Sequence, residues 1–321
     1  KKAKYPFIDI QRHQSRRPTQ DLAPVIAAMD TLNMRIMVNL SGRTGNDLKN
    51  SVKNIADNYP NRFVVFANIR FHNNVGKKGW VEATVRQLEE DVKNGARGLK
   101  IYKGLGLRDV DINGKRVAVD DARLDPIWEK CGELGIPVLI HSADPKPFWD
   151  DFNADNERWL ELKTKPRRKR GPNNPAPWEQ IMKEQHDMFK KHAKTKFISA
   201  HMGWLANDLG KLGKLLDEIP NMNVGIAAII AELGRQPRFA KAFFIKYQDR
   251  ILFGKDSWKP NEFPTYFRVL ESNDEYFPYH KKYHAFWPMY GMDLPDDVLK
   301  KVYYKNALKL VPGLDKNLFP K

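Results

Sequence analysis

A chain of 321 residues has the length of one barrel-sized domain or two smaller ones, and with 41% hydrophobic and 11% aromatic residues it can bury a large core, which excludes wholesale disorder. The net charge of +16 is mostly scattered along helical stretches, as at Lys211, Lys214, Lys241 and Lys246, and no nucleic-acid-binding module or run of stacking aromatics accompanies it. No apolar run reaches the roughly 20 residues of a bilayer span, no apolar stretch behind Lys1-Lys2-Ala3-Lys4 makes a signal peptide, and the only cysteine, Cys131, excludes an intrachain disulfide.

Short β-forming runs alternate with amphipathic stretches, the pattern of parallel βαβ units. A strand is expected at 7–10, then a helix at 20–32 with Thr19 as N-cap, a strand at 35–40 and a helix at 47–58. A strand at 63–68 precedes a helix at 81–94 stopped by Gly95; a strand at 98–102 precedes a helix at 125–134 stopped by Gly135. The strand at 138–140 is aliphatic throughout, as a barrel strand buried on both faces should be. A long interruption at 144–174 comes next, rich in Trp, Pro and charge, and it holds the basic block Lys165-Pro166-Arg167-Arg168-Lys169-Arg170. Insertions after a barrel strand lie over the catalytic face, so Trp149, Phe152 and Trp159 are candidates to cap a pocket there. A helix at 178–192, a strand at 196–200, a helix at 205–219, a strand at 224–230, a helix at 240–247 and a strand at 251–254 complete eight βα units. An aromatic stretch with Tyr276, Phe277, Tyr279, Tyr283, Phe286 and Trp287 leads to a last helix at 296–310. The expectation is an α/β protein, a single (β/α)8 TIM barrel over 1–321, with a loop insertion after strand five and an aromatic-rich C-terminal extension.

Polar residues recur where the strands end. Gln11 and His13 follow the first strand, His141 the fifth, His201 the sixth and Asp256 the eighth. Imidazoles and a carboxylate converge on a divalent cation when strands distant in sequence lie side by side, so this pattern points to a metal site at a barrel mouth. Lys100 ends the fourth strand, Lys255 adjoins Asp256, and Arg235 lies in the loop after the seventh, three candidates for holding a substrate carboxylate. Arg12, between Gln11 and His13, is expected to point away from the pocket by strand alternation. His186 and His192 read as surface residues of a polar helix, and His280 and His284 as packing or interface residues. No Ser-His-Asp or Cys-His nucleophile and no phosphate-binding glycine loop stands out.

The motifs Asp9-x-Gln11-x-His13, His141-Ser142-Ala143-Asp144-Pro145, Ala200-His201-Met202-Gly203-Trp204 and Phe253-Gly254-Lys255-Asp256 together resemble the amidohydrolase superfamily, in its amidohydrolase-2 branch of aminocarboxymuconate-semialdehyde and dihydroxybenzoate decarboxylases. The resemblance implies metal ligation by His13, His141 and Asp256, acid–base or polarising work by His201, and proton transfer from water by Asp256. It also implies that a strand-four lysine such as Lys100 is a site of carboxylation in some members. Gln11 departs from the family pattern Asp-x-His-x-His, because glutamine offers a neutral oxygen where a second imidazole is expected. The resulting expectation is a metal-dependent hydrolase using zinc, or else manganese, on a small anionic lactone, amide or ester. A non-oxidative decarboxylase of the same branch, or a barrel that binds without catalysis because of Gln11, are the alternatives. A small-molecule substrate, no nucleic-acid partner and no membrane are expected; a homo-oligomer is left open, and the compartment reads as cytoplasmic or, for a mature exported protein, periplasmic.

Overall fold

The computed structural model describes residues 1–13 and 18–320. Eight strands form one sheet in sequence order, each parallel to the next: β1 (Phe7–Arg12), β2 (Met34–Asn39), β3 (Phe63–Asn68), β4 (Ala96–Ile101), β5 (Val138–Ile140), β6 (Phe197–Ser199), β7 (Met222–Gly225) and β8 (Ile251–Leu252). The sheet closes on itself. Ile10 N–H donates to Phe253 O at 3.1 Å, Asp256 N–H donates to Gln11 O at 2.9 Å, and Arg12 pairs with Asp256 in a parallel bridge. Closure hides both faces of the strands: every residue of β5, β6 and β7 is buried.

Register shifts occur in the β1–β2 pair and, between Val65 and Ala67, in the β3–β4 pair. Asp9 lies opposite Met37 and Arg12 opposite Asn39, so β1 inserts one extra residue between those pairs. Such a bulge breaks the simple alternation of side chains and re-aims the residues beyond it.

The helices take their positions from local chemistry. The helix Trp80–Lys93 turns inward at Gly95, whose φ of 109° suits glycine, and a Cβ there would lie 2.7 Å from Val52. The helix Ala23–Leu32 begins three residues later than expected, with a proline in its first turn and Leu22, not Thr19, at its N-cap. The expected strand at 224–230 ends at Gly225, and its last residue instead opens the short helix Ile230–Gly234. The helix Leu209–Glu218 starts late because a left-handed turn occupies the residues before it; Asp208 caps it by accepting from Lys211 N–H at 3.0 Å. A helix at Phe263–Glu271 was hidden within the aromatic-rich end of the sequence. The last helical segment runs 296–310 with one wider turn at Lys301–Lys305, where Val302 O accepts from Phe253 N–H of the β8 end.

The insertion after β5 is pinned from both sides. Trp149 Nε1 donates to Ala176 O and Trp178 Nε1 to Asp144 O, each at 2.9 Å. Beneath it, Arg158 meets Glu161 at 2.9 Å and also Glu232 of the β7 loop, while His284 of the C-terminal extension lies 3.0 Å from Glu161. No helix among the described residues is long and apolar enough to cross a membrane.

Candidate active site at the barrel mouth

The C-terminal ends of β1, β4, β5, β6 and β8 deliver His13, Lys100, His141, His201 and Asp256 to one neighbourhood. His13 Nε2 lies 3.9 Å from Asp256 Oδ1, the His141 and His201 rings meet edge-on at 4.4 Å, and His201 Nε2 is 3.2 Å from Gln11 Nε2. Positive-φ backbone concentrates here. Ala143 (55°), His201 (57°), Met202 (51°), Trp204 (56°), Ala228 (59°) and Asp256 (80°) all follow barrel strands. Left-handed conformation costs a non-glycine residue roughly 1–2 kcal/mol, and such strain clusters at functional sites.

Hydrogen bonds fix the tautomers. Tyr102 donates its hydroxyl proton to Leu40 O at 3.0 Å, which leaves its oxygen to accept from Ser41 Oγ at 3.0 Å. Ser41 Oγ then accepts from His13 Nδ1 at 2.7 Å, so Nε2 of His13 carries a lone pair facing Asp256. His201 Nδ1 donates to Ala227 O at 2.7 Å, making its Nε2 an acceptor for the Gln11 amide and, at 3.4 Å, for His141 Nδ1. That assignment leaves His141 Nε2 with a buried lone pair and no hydrogen-bond partner, and Gln11 Oε1 is in the same condition.

Electrostatics agree with neutral imidazoles. Burial, reinforced by Lys100, lowers His13 to about 4; burial, with His201 and Lys100, holds His141 well below the usual histidine range; burial also lowers His201, against the pull of Asp256. Burial pushes the Asp256 carboxyl up, but His201, His13, Lys100 and Arg12 outweigh it and hold it below its ordinary value. Lys100, 2% exposed, is lowered to about 7 by burial against the attraction of Asp256, and its Nζ stands 5.6 Å from the Tyr102 ring centre. The mouth thus holds an ionised carboxylate, three neutral imidazoles and an amine near its midpoint at neutral pH.

Two candidates lie elsewhere. Lys255 Nζ is bonded to Glu262 at 2.5 Å and to Ser257, over Phe263, so its charge is answered outside the His–Asp group. Arg235 pairs with Glu157 at 2.6 Å and stacks on Trp287 at 4.4 Å. His192 is buried against Asp125 at 2.9 Å instead of surface-exposed. Of the insertion aromatics, Phe152 and Trp159 stack on each other at 6.0 Å; the indole that reaches the imidazoles is Trp204, stacked on His201 at 4.3 Å.

Four residues that the sequence does not single out as functional, Ser41, Tyr102, Asp9 and Arg12, also belong to this end of the barrel. Tyr102 stands two residues past Lys100, a spacing that signals one strand face. Asp9 is fully buried, and burial, opposed by Arg12, pushes its carboxyl up to about 7.

Whether these residues suit a divalent ion is a matter of donors and spacing. The donors fit: two imidazole lone pairs, one of them buried without a partner, and an ionised carboxylate. The spacing is open, since among the described residues no three of His, Cys, Asp and Glu are drawn in as a ready metal cluster.

Imidazoles and a carboxylate at the C-terminal mouth of a parallel (β/α)8 barrel define a class of barrel proteins with acid–base machinery on strand ends. The sequence matches the family model described as amidohydrolase, of the amidohydrolase-2 type, over residues 8–313, and the chain belongs to that family of enzymes. Among solved structures it is similar to 2,6-dihydroxybenzoate decarboxylase complexed with 2,6-dihydroxybenzoate, at 13% identity and TM-score 0.59, covering 95% of this chain and 99% of that one. It is similar to a dihydroxybenzoic acid decarboxylase from Polaromonas sp. JS666 with bound manganese and 2-nitroresorcinol (14%, TM-score 0.59, 95% and 96% covered). A 5-carboxyvanillate decarboxylase from Novosphingobium aromaticivorans complexed with manganese is similar at 14% and TM-score 0.58, with 96% of each chain covered. At these identities the likeness is one of fold. No curated protein matches the sequence.

Proposed function

We propose that the chain is a metal-dependent hydrolase that opens a small anionic lactone, amide or ester. One observation carries this reading: Asp256 stays ionised among imidazoles held neutral, so at neutral pH the mouth is rich in bases and poor in acids. His13, His141 and Asp256 would hold the ion, manganese as readily as zinc given the manganese in two of the similar structures. When bound, a divalent ion supplies Lewis acidity for the scissile carbonyl and for water.

The chain's own residues do the rest. Asp256 accepts a proton from the attacking water, with its carboxylate already facing His13. His201, locked by Ala227, accepts at Nε2 from the Gln11 amide and His141 Nδ1 and so holds the His141 ring in place. Lys100, in its ammonium form, pairs with the substrate carboxylate; buried beside Tyr102 and without a hydrogen bond or ion pair among the described residues, it is free to do so. Trp204 closes one wall against His201 and excludes bulk water.

The second reading is decarboxylation of an aromatic acid, favoured by the three similar structures and by Lys100, a group beside the imidazoles able to give a proton near pH 7. Metal-loaded protein assayed on lactones, esters, amides and hydroxybenzoates separates the two. Proton release from a lactone, ester or amide supports hydrolysis; carbon dioxide from the acids, with no hydrolysis, overturns it.

A further inference from the structure

Asp256 holds a φ of 80°, which a non-glycine residue adopts only when its surroundings compel it. Both ends of its backbone are gripped by β1. Its N–H donates to Gln11 O at 2.9 Å, and its carbonyl accepts from Arg12 Nη1. Arg12 has no solvent exposure; its guanidinium lies 5.0 Å from the Trp258 ring and its Nε 3.7 Å from Asp9 Oδ2. Asp9 completes the frame, because its Oδ1 accepts from the N–H of Gln11 at 3.0 Å and of Lys255 at 3.2 Å. The carboxylate of Asp9 therefore touches the backbone on both sides of the barrel seam, and the guanidinium of Arg12 bridges the same seam one step higher.

Joining two parallel strands does not require this. The β7–β8 seam next to it runs on main-chain bonds such as Val224 N–H to Arg250 O at 2.9 Å and Ile226 N–H to Leu252 O at 3.1 Å. Burying a guanidinium and a carboxylate costs several kcal/mol unless geometry returns it, so the pair calls for a reason beyond closure. The extra residue in β1 between Asp9 and Arg12 supplies the geometry, since a bulge turns the residues after it onto new neighbours. Gln11 and His13 reach the imidazoles and Asp256, while Arg12 between them slides under the turn that carries Asp256.

We propose that Arg12, oriented by Asp9, is a positioning residue that holds Asp256 in its left-handed conformation and so aims the carboxylate at His13. The proposal rests on reading Asp256 as the ligand and base of the site. Arg12 contacts none of the imidazoles; it grips Asp256 at its backbone carbonyl, and Arg12→Lys separates that grip from the pull of its charge on the carboxylate.

The test uses the full chain with Arg12→Met, Arg12→Lys and Asp9→Asn. Each variant is characterised by a crystal structure, by manganese titration followed through the electron paramagnetic resonance of the free ion, and by thermal unfolding. In Arg12→Met, Asp256 should relax to negative φ, its carboxylate should leave His13, and manganese should bind about tenfold or more weakly, as with other groups that orient ligands. Arg12→Lys, which keeps the charge without the fork, should fall between wild type and Arg12→Met. Unchanged Asp256 conformation and manganese affinity in Arg12→Met, with only a lower unfolding temperature, overturns the proposal. If Arg12→Met does not fold, Asp9→Asn decides: it is nearly isosteric, and an unmoved Asp256 there also overturns the proposal. Wild-type protein that binds no manganese sinks the metal reading instead, and the Asp256 conformation in the variants still decides the positioning role.

Discussion

At the barrel mouth, Lys100 is 2% exposed with no hydrogen bond or ion pair among the described residues, while under the insertion Arg158, 3% exposed, meets Glu161 at 2.9 Å and Glu232 as well. The contrast extends to the histidines. His284 gives Nε2 to Glu161 at 3.0 Å, whereas His141 leaves Nε2 buried and unpartnered. Both regions bury ionisable side chains, but in one nearly every charge finds an opposite and in the other lone pairs and an amine are kept in reserve. Unpartnered buried atoms occur in both regions, Arg158 Nε and Glu232 Oε2 under the insertion as well as His141 Nε2 and Gln11 Oε1 at the mouth, but Arg158 and Glu232 still answer each other's charge while Lys100 has no ion pair among the described residues. The difference teaches that neither a buried charge nor an unpartnered atom identifies a site by itself; a buried amine left unpaired beside imidazoles and a carboxylate at strand ends makes a candidate.

The comparison breaks most visibly at Arg158. Arg158→Met leaves Glu232 buried without its cation and takes one of its partners from Glu161, which should destabilise the protein by roughly 3–5 kcal/mol. Urea unfolding should show that loss, while manganese affinity at the mouth stays as in wild type; a variant as stable as wild type would mean the cluster is no lock. The same region sets an acid limit. Burial pushes the Glu161 carboxyl up, but His284, Arg158 and Arg168 outweigh it and bring it down to about 2, from an ordinary 4.5. A folded-state value below the unfolded one adds stability that is complete above pH 4.5 and is lost as pH falls through 2. Unfolding midpoints measured between those limits should decline in wild type and flatten in Glu161→Gln.

Asp256→Asn sharpens the other half of the comparison. Asparagine is nearly isosteric but cannot take a proton from water as a carboxylate does, so turnover should drop at least ~100-fold with little change in unfolding temperature. Steady-state rates on the substrate found by the panel check this, and activity retained within a few-fold would place the base elsewhere. The smallest expected effect is at Gln11. Gln11→His would return an imidazole to the strand-one position and tighten the divalent ion by about tenfold, read by the same titration. An unchanged affinity would show that position 11 serves His201 alone.

Much of this was legible in the sequence because barrel strands buried on both faces read as unbroken β-forming runs. β3 and β5 match their expected bounds to the residue, and the polar residues that end β1, β5, β6 and β8 stand out from the pattern alone. What stayed hidden depends on partners remote in the chain. Lys255 and Arg235 look free in the sequence because Glu262 and Glu157 give no sign of approaching them. Gln11 looks only like a missing ligand because its bond to His201 joins residues 190 apart. Strand alternation sets Arg12 aside, and its side chain does turn away from the imidazoles; what the sequence does not show is that its guanidinium reaches the carbonyl of Asp256, 244 residues away. The helix Phe263–Glu271 escapes notice because Phe263-Pro264 and the surrounding aromatics mask its period.

The central claim is that the lone pairs of His13 and His141 and the carboxylate of Asp256 await one divalent ion. Equilibrium dialysis of wild type and His141→Ala against manganese, and separately zinc, followed by elemental analysis, tests it directly. Wild type should keep about one ion per chain and His141→Ala should lose most of it; equal retention by the two proteins, or none by wild type, would contradict the account.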